Sequence, residues 1–316
     1  MSTNLSPGNT LFLAAVDRIQ RQLALVNAQV SSGKRLQSAS DDPSKLPALL
    51  QLRTDMAHNK QIESNLSLAK TDAETADSAI SSAIDIMDRV TQLAAEGASG
   101  TATADGRQSL AQEVQSLMEQ MVSVSQTQVQ GRYIFSGDLD GNTSYQLDLA
   151  APTGVDQLTA ASATRVVEDP SGGTFAASET AAAIFDDTTP ASTDASGNTT
   201  PAAPAEDNVF AAMNTLRLAL LNNDESGIQG SLTSIKAASQ HLNNAQAFYG
   251  TVEDRIQSAT TFATKYDSEL TGEVSDIEDA DPTAAALALT QTSTQLQAAF
   301  AMQAKMPSQT LFNFLG

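Results

Sequence analysis

The chain of 316 residues has no cysteine, no tryptophan and two histidines, and aromatic residues make up 4% of it. Without cysteine there is no disulfide, no thiolate metal site and no cysteine nucleophile. With so few large aromatic side chains, a compact enzyme core lacks its bulkiest packing units. Ala, Leu, Ile, Val and Met at helical spacing suit long helices packed side by side instead. Cations are also scarce: 17 Lys and Arg stand against 37 Asp and Glu, a net charge of −20. Such a chain repels backbone phosphates and anionic lipid surfaces, so nucleic acid is not an expected partner and membrane insertion is not expected. No apolar run approaches the ~18–20 residues that a membrane span requires. In MSTNLSPGNTLFLAAVDRIQ no basic segment precedes an apolar one, so a cleaved secretory signal is not expected.

Motifs of catalysis and cofactor binding are missing too. His58 and His241 lie in polar helical stretches (MAHNKQ, ASQHLNNA), outside any metal-ligand spacing, and read as exposed positions. No G-x-S-x-G, Walker or G-x-G-x-x-G pattern occurs. SGDLDGNTSY alternates Asp138, Asp140 and Asn142 as a calcium loop does. It lacks the glycine at position six and the glutamate at position twelve, so a hairpin turn is the better reading. The acidic DIEDAD (276–281) reads as a solvated approach to a helix N-terminus. No enzyme activity, cofactor, metal site or catalytic residue is expected.

What is present is heptad periodicity. Phe12, Val16, Ile19, Leu23, Val26 and Val30 step by 4,3,4,3,4. Ile62, Leu66, Ala69, Ala73, Ala76, Ile80, Ala83, Met87 and Val90 form a second seam, which Gly97 and Gly100 end. Leu110, Val114, Leu117, Met121 and Val124 open a third. The far flank mirrors this with Leu242, Tyr249, Val252, Ile256, Ala259, Ala263, Tyr266 and Leu270, then with Leu289, Leu296 and Phe300 on one face. Pro307 is expected to stop the last helix, leaving the apolar tail TLFNFLG. Between the flanks, residues 138–207 carry twelve Asp and Glu against one base, Arg165, with Pro/Thr/Gly-rich loops and strand-like runs (SYQLDL, TRVVE). The expected fold is therefore mainly α with an inserted β-rich domain, both chain ends joining in a long antiparallel helical bundle or coiled coil. Five segments follow: 1–45 and 279–316 as terminal assembly helices, disordered in the monomer; 46–137 and 208–278 as halves of a helical rod; and 138–207 as the variable outer domain.

The stretch SSGKRLQSASDDPSK punctuates the helices. Gly33 suits a left-handed C-terminal cap, with Lys34 and Arg35 near the negative helix end. Asp42 reads as the next N-cap and Pro43 as the first helical residue, a device repeated by Asp281 and Pro282. Arg35, Asp41 and Asp42 are assigned to the corner between the helices, and Arg53 to an acid that cannot be named from the sequence. Because Ala, Thr and Gln often occupy seam positions, each seam is weak alone. An Ala in place of a Leu forfeits about 1.5–3 kcal/mol of burial. The terminal seams must find each other or other chains, so Phe12, Val16, Ile19, Leu23 and Val26 are expected to face Leu289, Leu296 and Phe300, with Phe312, Phe314 and Leu315 anchoring the end.

LALVNAQVSSGKRLQSASDDPSKLPALLQLR and DIEDADPTAAALALTQTSTQLQAAFAMQAKMPSQTLFNFL resemble the two terminal signatures of the bacterial flagellin family. The resemblance covers residues 1–137 and 208–316. GRYIFSGDLDGNTSY (131–145) is similar to the element with which the hook–filament junction branch of that family, the hook-associated protein 3 group, leaves its helices for the β domain. Gly131, Tyr133, Phe135 and Gly137 carry it. The resemblance implies a structural subunit of the bacterial flagellum, secreted unfolded through the flagellar type III export channel and lying extracellularly. Its implied partners are hook-associated protein 1, flagellin subunits, other copies of itself in a ring, and an export chaperone at the C-terminal segment. Two readings stay open beside it: a filament-forming flagellin of the same fold, and a binding module or enzyme in the central domain. The latter would need convergent titratable groups, and residues 138–207 contain no histidine, lysine or cysteine.

Overall fold

The structure, a computed structural model, describes residues 7–193 and 199–305. Long helices dominate it: α1 (Pro7–Ser32), α2 (Leu46–Gly97), α3 (Ala104–Ser125), α5 (Val209–Leu221), α6 (Glu225–Glu278) and α7 (Pro282–Lys305). A short α4 (Ala181–Phe185) lies among the strands. The chain divides into two compact units, one made from the chain up to His58 and from Tyr266 onward, the other from Asn59–Lys265. Both bounds fall inside helices, so α2 and α6 supply residues to each unit.

In the unit 59–265 the seams read from the sequence are the core. Leu66, Ala73, Ile80, Ala83, Met87 and Val90 of α2 are fully buried, as are Leu242, Ile256 and Ala263 of α6. The stripe on α6 also extends back through Ala238 and Ile235 to Ile228, keeping the heptad step. Small residues recur along both seams and let the two backbones lie close. Asn59 Nδ2 donates to the Ala263 carbonyl across that contact at 2.9 Å. Tyr266 is only half-buried.

Between α3 and α5 the chain forms two-stranded antiparallel ladders: β1 (Gln128–Val129) with β2 (Arg132–Tyr133), β3 (Tyr145–Leu147) with β4 (Val155–Gln157), and β5 (Val166–Glu168) with β6 (Thr174–Ala176). A fourth ladder, β7 (Thr188–Thr189) with β10 (Ala203–Pro204), encloses a fifth, β8 (Ser192–Thr193) with β9 (Thr199–Thr200). The excursion thus begins at Gln128, ten residues before the expected Asp138. Gln130 and Gly131, at φ +53 and +78, make the two-residue turn that reverses the chain there. These ladders are too short to stand alone. Tyr145 and Val155 of the second ladder, Phe175 of the third and Phe135 of the loop after β2 join the helical core instead: Phe135 meets Phe185 and Tyr249 edge-on at 5.7 and 6.3 Å, and Tyr145 packs on Phe210.

His241, expected to be exposed, is tucked against this region. Its Nε2 lies 2.7 Å from the Ala183 carbonyl and its Nδ1 3.1 Å from Asp207, because α4 folds back onto α6.

A candidate assembly unit at the chain ends

In the other unit α1 and α7 pack against each other. They run antiparallel, since the end of α1 meets the start of α7 through Ala280 N and the Gly33 carbonyl, 2.8 Å apart. On α1, Val16 and Val26 are buried and Phe12, Ile19 and Leu23 half-buried, while Val30 is exposed. On α7 the inward stripe is Ala285, Leu289, Thr292, Leu296, Ala299 and Gln303, again stepping by 4,3,4,3,4. Phe300, expected on this face with Leu289 and Leu296, is instead 51% exposed. The heptad step from Leu296 lands on Ala299, and the next residue is turned about 100° away. The polar seam residue Thr292 returns its hydroxyl to the Ala288 carbonyl at 2.7 Å. Phe312, Phe314 and Leu315 lie outside the described residues.

The corner between α1 and α2 is built by local hydrogen bonds. Gly33, at φ +70, ends α1 and donates its N–H to the Gln29 carbonyl at 2.9 Å. Asp41 accepts from the Ser38 and Gln37 amides at 2.8 and 2.9 Å and from the Ser38 hydroxyl, and these bonds, the Ser38 amide foremost, hold its carboxyl below the usual range. Asp42 accepts from the Ser44 hydroxyl at 2.6 Å and lies 3.7 Å from Arg35. Pro43 is not the first residue of α2. A tight turn closed by Lys45 N and the Asp42 carbonyl intervenes, and the helix begins at Leu46. At α7 the expected arrangement is the one observed: the helix starts at Pro282, and Asp281 Oδ1 accepts from the Thr283 and Ala284 amides at 2.8 and 3.2 Å.

The two punctuation stretches, some 240 residues apart in the chain, bind each other. Glu278, read from the sequence as part of a solvated loop, has a side chain only 7% exposed, 2.5 Å from Lys34 Nζ and 2.9 Å from Arg53. Arg53 thereby gains the partner that the sequence left unnamed. The Lys34 hydrogen bond, followed by that of Arg53, outweighs burial and keeps the Glu278 carboxyl below its ordinary range. The Glu278 carbonyl also accepts from the Arg35 and Leu36 amides at 2.7 and 3.2 Å, and Arg35 Nη2 donates to the Ile277 carbonyl at 2.7 Å. Lys34 and Arg35 were assigned to the negative end of α1. Arg35 serves the C-terminal end of α6 instead, its amide and guanidinium satisfying carbonyls that the helix leaves unpaired, while Lys34 pairs with the Glu278 carboxylate. The only signal for this in the sequence was a basic turn after one helix and an acidic run before another.

The element 131–137 has its own logic in the unit 59–265. Gly131 supplies the second positive φ of the first turn, and the Tyr133 carbonyl accepts from Arg165 at 3.2 Å. Phe135 is buried in the aromatic cluster, and Gly137 takes φ +52 where an added Cβ would lie 2.3 Å from the Ala163 carbonyl oxygen. Asp138, weighed as a calcium ligand, accepts from Ser162 N, Ser162 Oγ and Ala163 N, while Asp140 pairs with Arg165. Both carboxylates hold the loops together.

Among the described residues no helix is long and apolar enough to cross a membrane. Residues 2–140 match the family model of the bacterial flagellin N-terminal helical region, and residues 232–315 that of the bacterial flagellin C-terminal helical region. The chain is similar to flagellar hook-associated protein 3 of Escherichia coli, 24% identical over 302 residues and covering 90% of each chain. It is 29% identical to Flagellin B of Helicobacter pylori over 136 residues, 43% of this chain and 26% of that protein. Among solved structures it resembles flagellar hook-associated protein-3 from Legionella pneumophila, with a TM-score of 0.61 and 13% identity, covering 72% of this chain and 98% of that one.

Proposed function

Because the chain belongs to the bacterial flagellin family, we propose that it is the flagellar subunit that joins hook to filament, polymerising through its terminal helices. Its role is structural. The observation that carries the junction reading is the end-to-end alignment with hook-associated protein 3, which includes the centre of both chains, whereas the alignment with Flagellin B stops after 136 residues. On this reading hook-associated protein 1 binds one side of a ring of copies and flagellin the other. The chain leaves the cell unfolded through the flagellar type III channel, and a chaperone covers the C-terminal segment beforehand.

The helix pair supports polymerisation on physical grounds. Two helices bury one stripe each, and α1 and α7 leave Leu11, Leu13 and Leu25, with Leu287, Phe300 and Met302, substantially exposed. An apolar surface of that kind on an acidic chain is suited to further helices. In the monomer, where those helices are missing, the pair is expected to open and close. A filament-forming flagellin is the second reading, favoured by the family models and by the Flagellin B match.

Purified protein, seeded and raised in concentration, separates the two under negative-stain microscopy. The junction reading expects no filaments, with rapid proteolytic clipping of both chain ends and a protected middle. Long filaments would make the chain a flagellin. Resistance to protease from end to end would show the termini already stably packed and overturn assembly through them.

A further inference from the structure

The fourth and fifth ladders form an arm whose strands, β7 to β10, are exposed. Two stems carry it within the unit 59–265. Asp186 and Asp187 lead out from α4 to β7, and Ala205, Glu206 and Asp207 lead back from β10 toward α5. The stems are bonded to each other: Ala205 N donates to the Asp187 carbonyl at 2.9 Å, and Asn208 Nδ2 to Asp186 Oδ1 at 2.7 Å. His241 of α6 grips both. Its Nε2 is 2.7 Å from the Ala183 carbonyl of α4, where the outgoing stem begins, and its Nδ1 is 3.1 Å from Asp207 of the returning stem.

A carbonyl and a carboxylate both accept hydrogen bonds and donate none. A neutral imidazole has one N–H and one lone pair, so it bonds one of these partners while the lone pair faces the other. The imidazolium has two N–H groups, satisfies both partners, and is attracted to the Asp207 charge. The side chains of His241 and Asp207 are 22% and 36% exposed, so solvent can deliver and remove the proton. The titratable groups facing His241 are Asp207 and, from the residues entering α4, Glu179. α4 itself has none, and the positions one turn away along α6 are Ala237, Ala238, Asn244 and Ala245. Burial pushes the Glu179 carboxyl above its ordinary range, while the charge of His241 pulls it back.

We propose that His241 is a proton-operated latch at the base of the arm. Protonated, it holds both stems on α6. Neutral, it keeps one and releases the other, so the arm loses its fixed direction on the helix. The latch is closed at low pH and opens as pH rises and the imidazole gives up its proton. It does not depend on what the chain assembles with.

The absence of cysteine lets two spin labels report on the arm alone. Thr189→Cys on β7 and Ala247→Cys, at an exposed position of α6, are introduced together in the full chain and labelled. Double electron–electron resonance gives their distance distribution at pH about 6 and about 8.5, on either side of the range in which histidine ordinarily changes charge. The distribution is expected to broaden about twofold at the higher pH, and to stay the same at both in His241→Gln and in Asp207→Ala. Equal widths in the parent double-cysteine chain overturn the latch, as does a pH response that survives in His241→Gln. Should one of those two variants lose its helical circular dichroism, the other decides. Glu179→Gln removes the other titratable neighbour, whose titration would act in the same direction, and it should keep the response. Loss of the response in Glu179→Gln would place the switch on that carboxyl and overturn the assignment to His241.

Discussion

Gly137 and Gly131 both take positive φ, yet they differ in what surrounds them. A Cβ on Gly137 would strike the Ala163 carbonyl oxygen, whereas one on Gly131 meets nothing within 4 Å. Gly131→Ala should therefore cost about 1 kcal/mol, the backbone penalty alone, and Gly137→Ala roughly 2–4 kcal/mol because the loop must also move. Chemical denaturation of the two variants gives the comparison. At Glu278 the prediction concerns charge. Its carboxyl is held below the ordinary value of 4.5, so its contribution is present above that value and lost as pH falls through the lowered one. Exchange protection of the Arg35 amide, bonded to the Glu278 carbonyl, should fall as pH drops below 4.5 in the native chain. In Glu278→Gln it should be reduced by about 1 kcal/mol already at neutral pH, a modest figure because Lys34 and Arg53 are half-exposed. Equal protection in both proteins would show the clamp to be held by its backbone bonds alone.

At the scale of the element, the helix pair separates two kinds of apolar residue. Leu296 lies in the seam between α7 and α1, and Phe300 points away from it. Leu296→Asp should weaken the pairing by about 2–4 kcal/mol through an unpaired charge, leave the unit 59–265 folded, and block assembly. Phe300→Asp should leave the helical circular dichroism of the monomer unchanged and still reduce incorporation into flagella. Wild-type incorporation of Phe300→Asp would mean that the outward face of α7 stays uncovered. The heptads of α2, α3 and α6 were legible because an Ala-rich helix can bury its backbone only along one regular stripe. Phe300 was misread because a step of four from Leu296 is as regular a heptad step as the step of three to Ala299 that the packing uses.

For the whole molecule, the distribution of core predicts the order of melting. A continuous apolar cluster joins α2, α3, α5, α6 and the ladders from Ile62 to Ala259, whereas the terminal unit has one thin seam. Calorimetry should show one cooperative transition for the unit 59–265. Deleting residues 1–45 and 279–316 should alter its stability by less than about 1 kcal/mol, since its apolar cluster includes no residue of either segment. A collapse of that transition on truncation would show that the two units fold as one.

Sequence alone determined what repeats or acts locally: the seams from Ile62 to Val90 and from Leu242 to Leu270, the cap at Asp281, the reversal of α1 at Gly33, and the hairpins of the acidic centre. Periodicity and capping depend on residues within a turn or two of each other, so they are written in adjacent letters. Tertiary structure decided which charges meet. Lys34 and Arg53 reach Glu278, and Arg165 reaches Asp72, across 93 to 244 positions of chain. An ion pair needs only two opposite charges brought within a few ångströms, and in a chain with 37 acids the sequence offers every base many candidates. Only the packing of the helices selects among them, giving Lys34 and Arg53 the Glu278 carboxylate and Arg165 both Asp72 and Asp140.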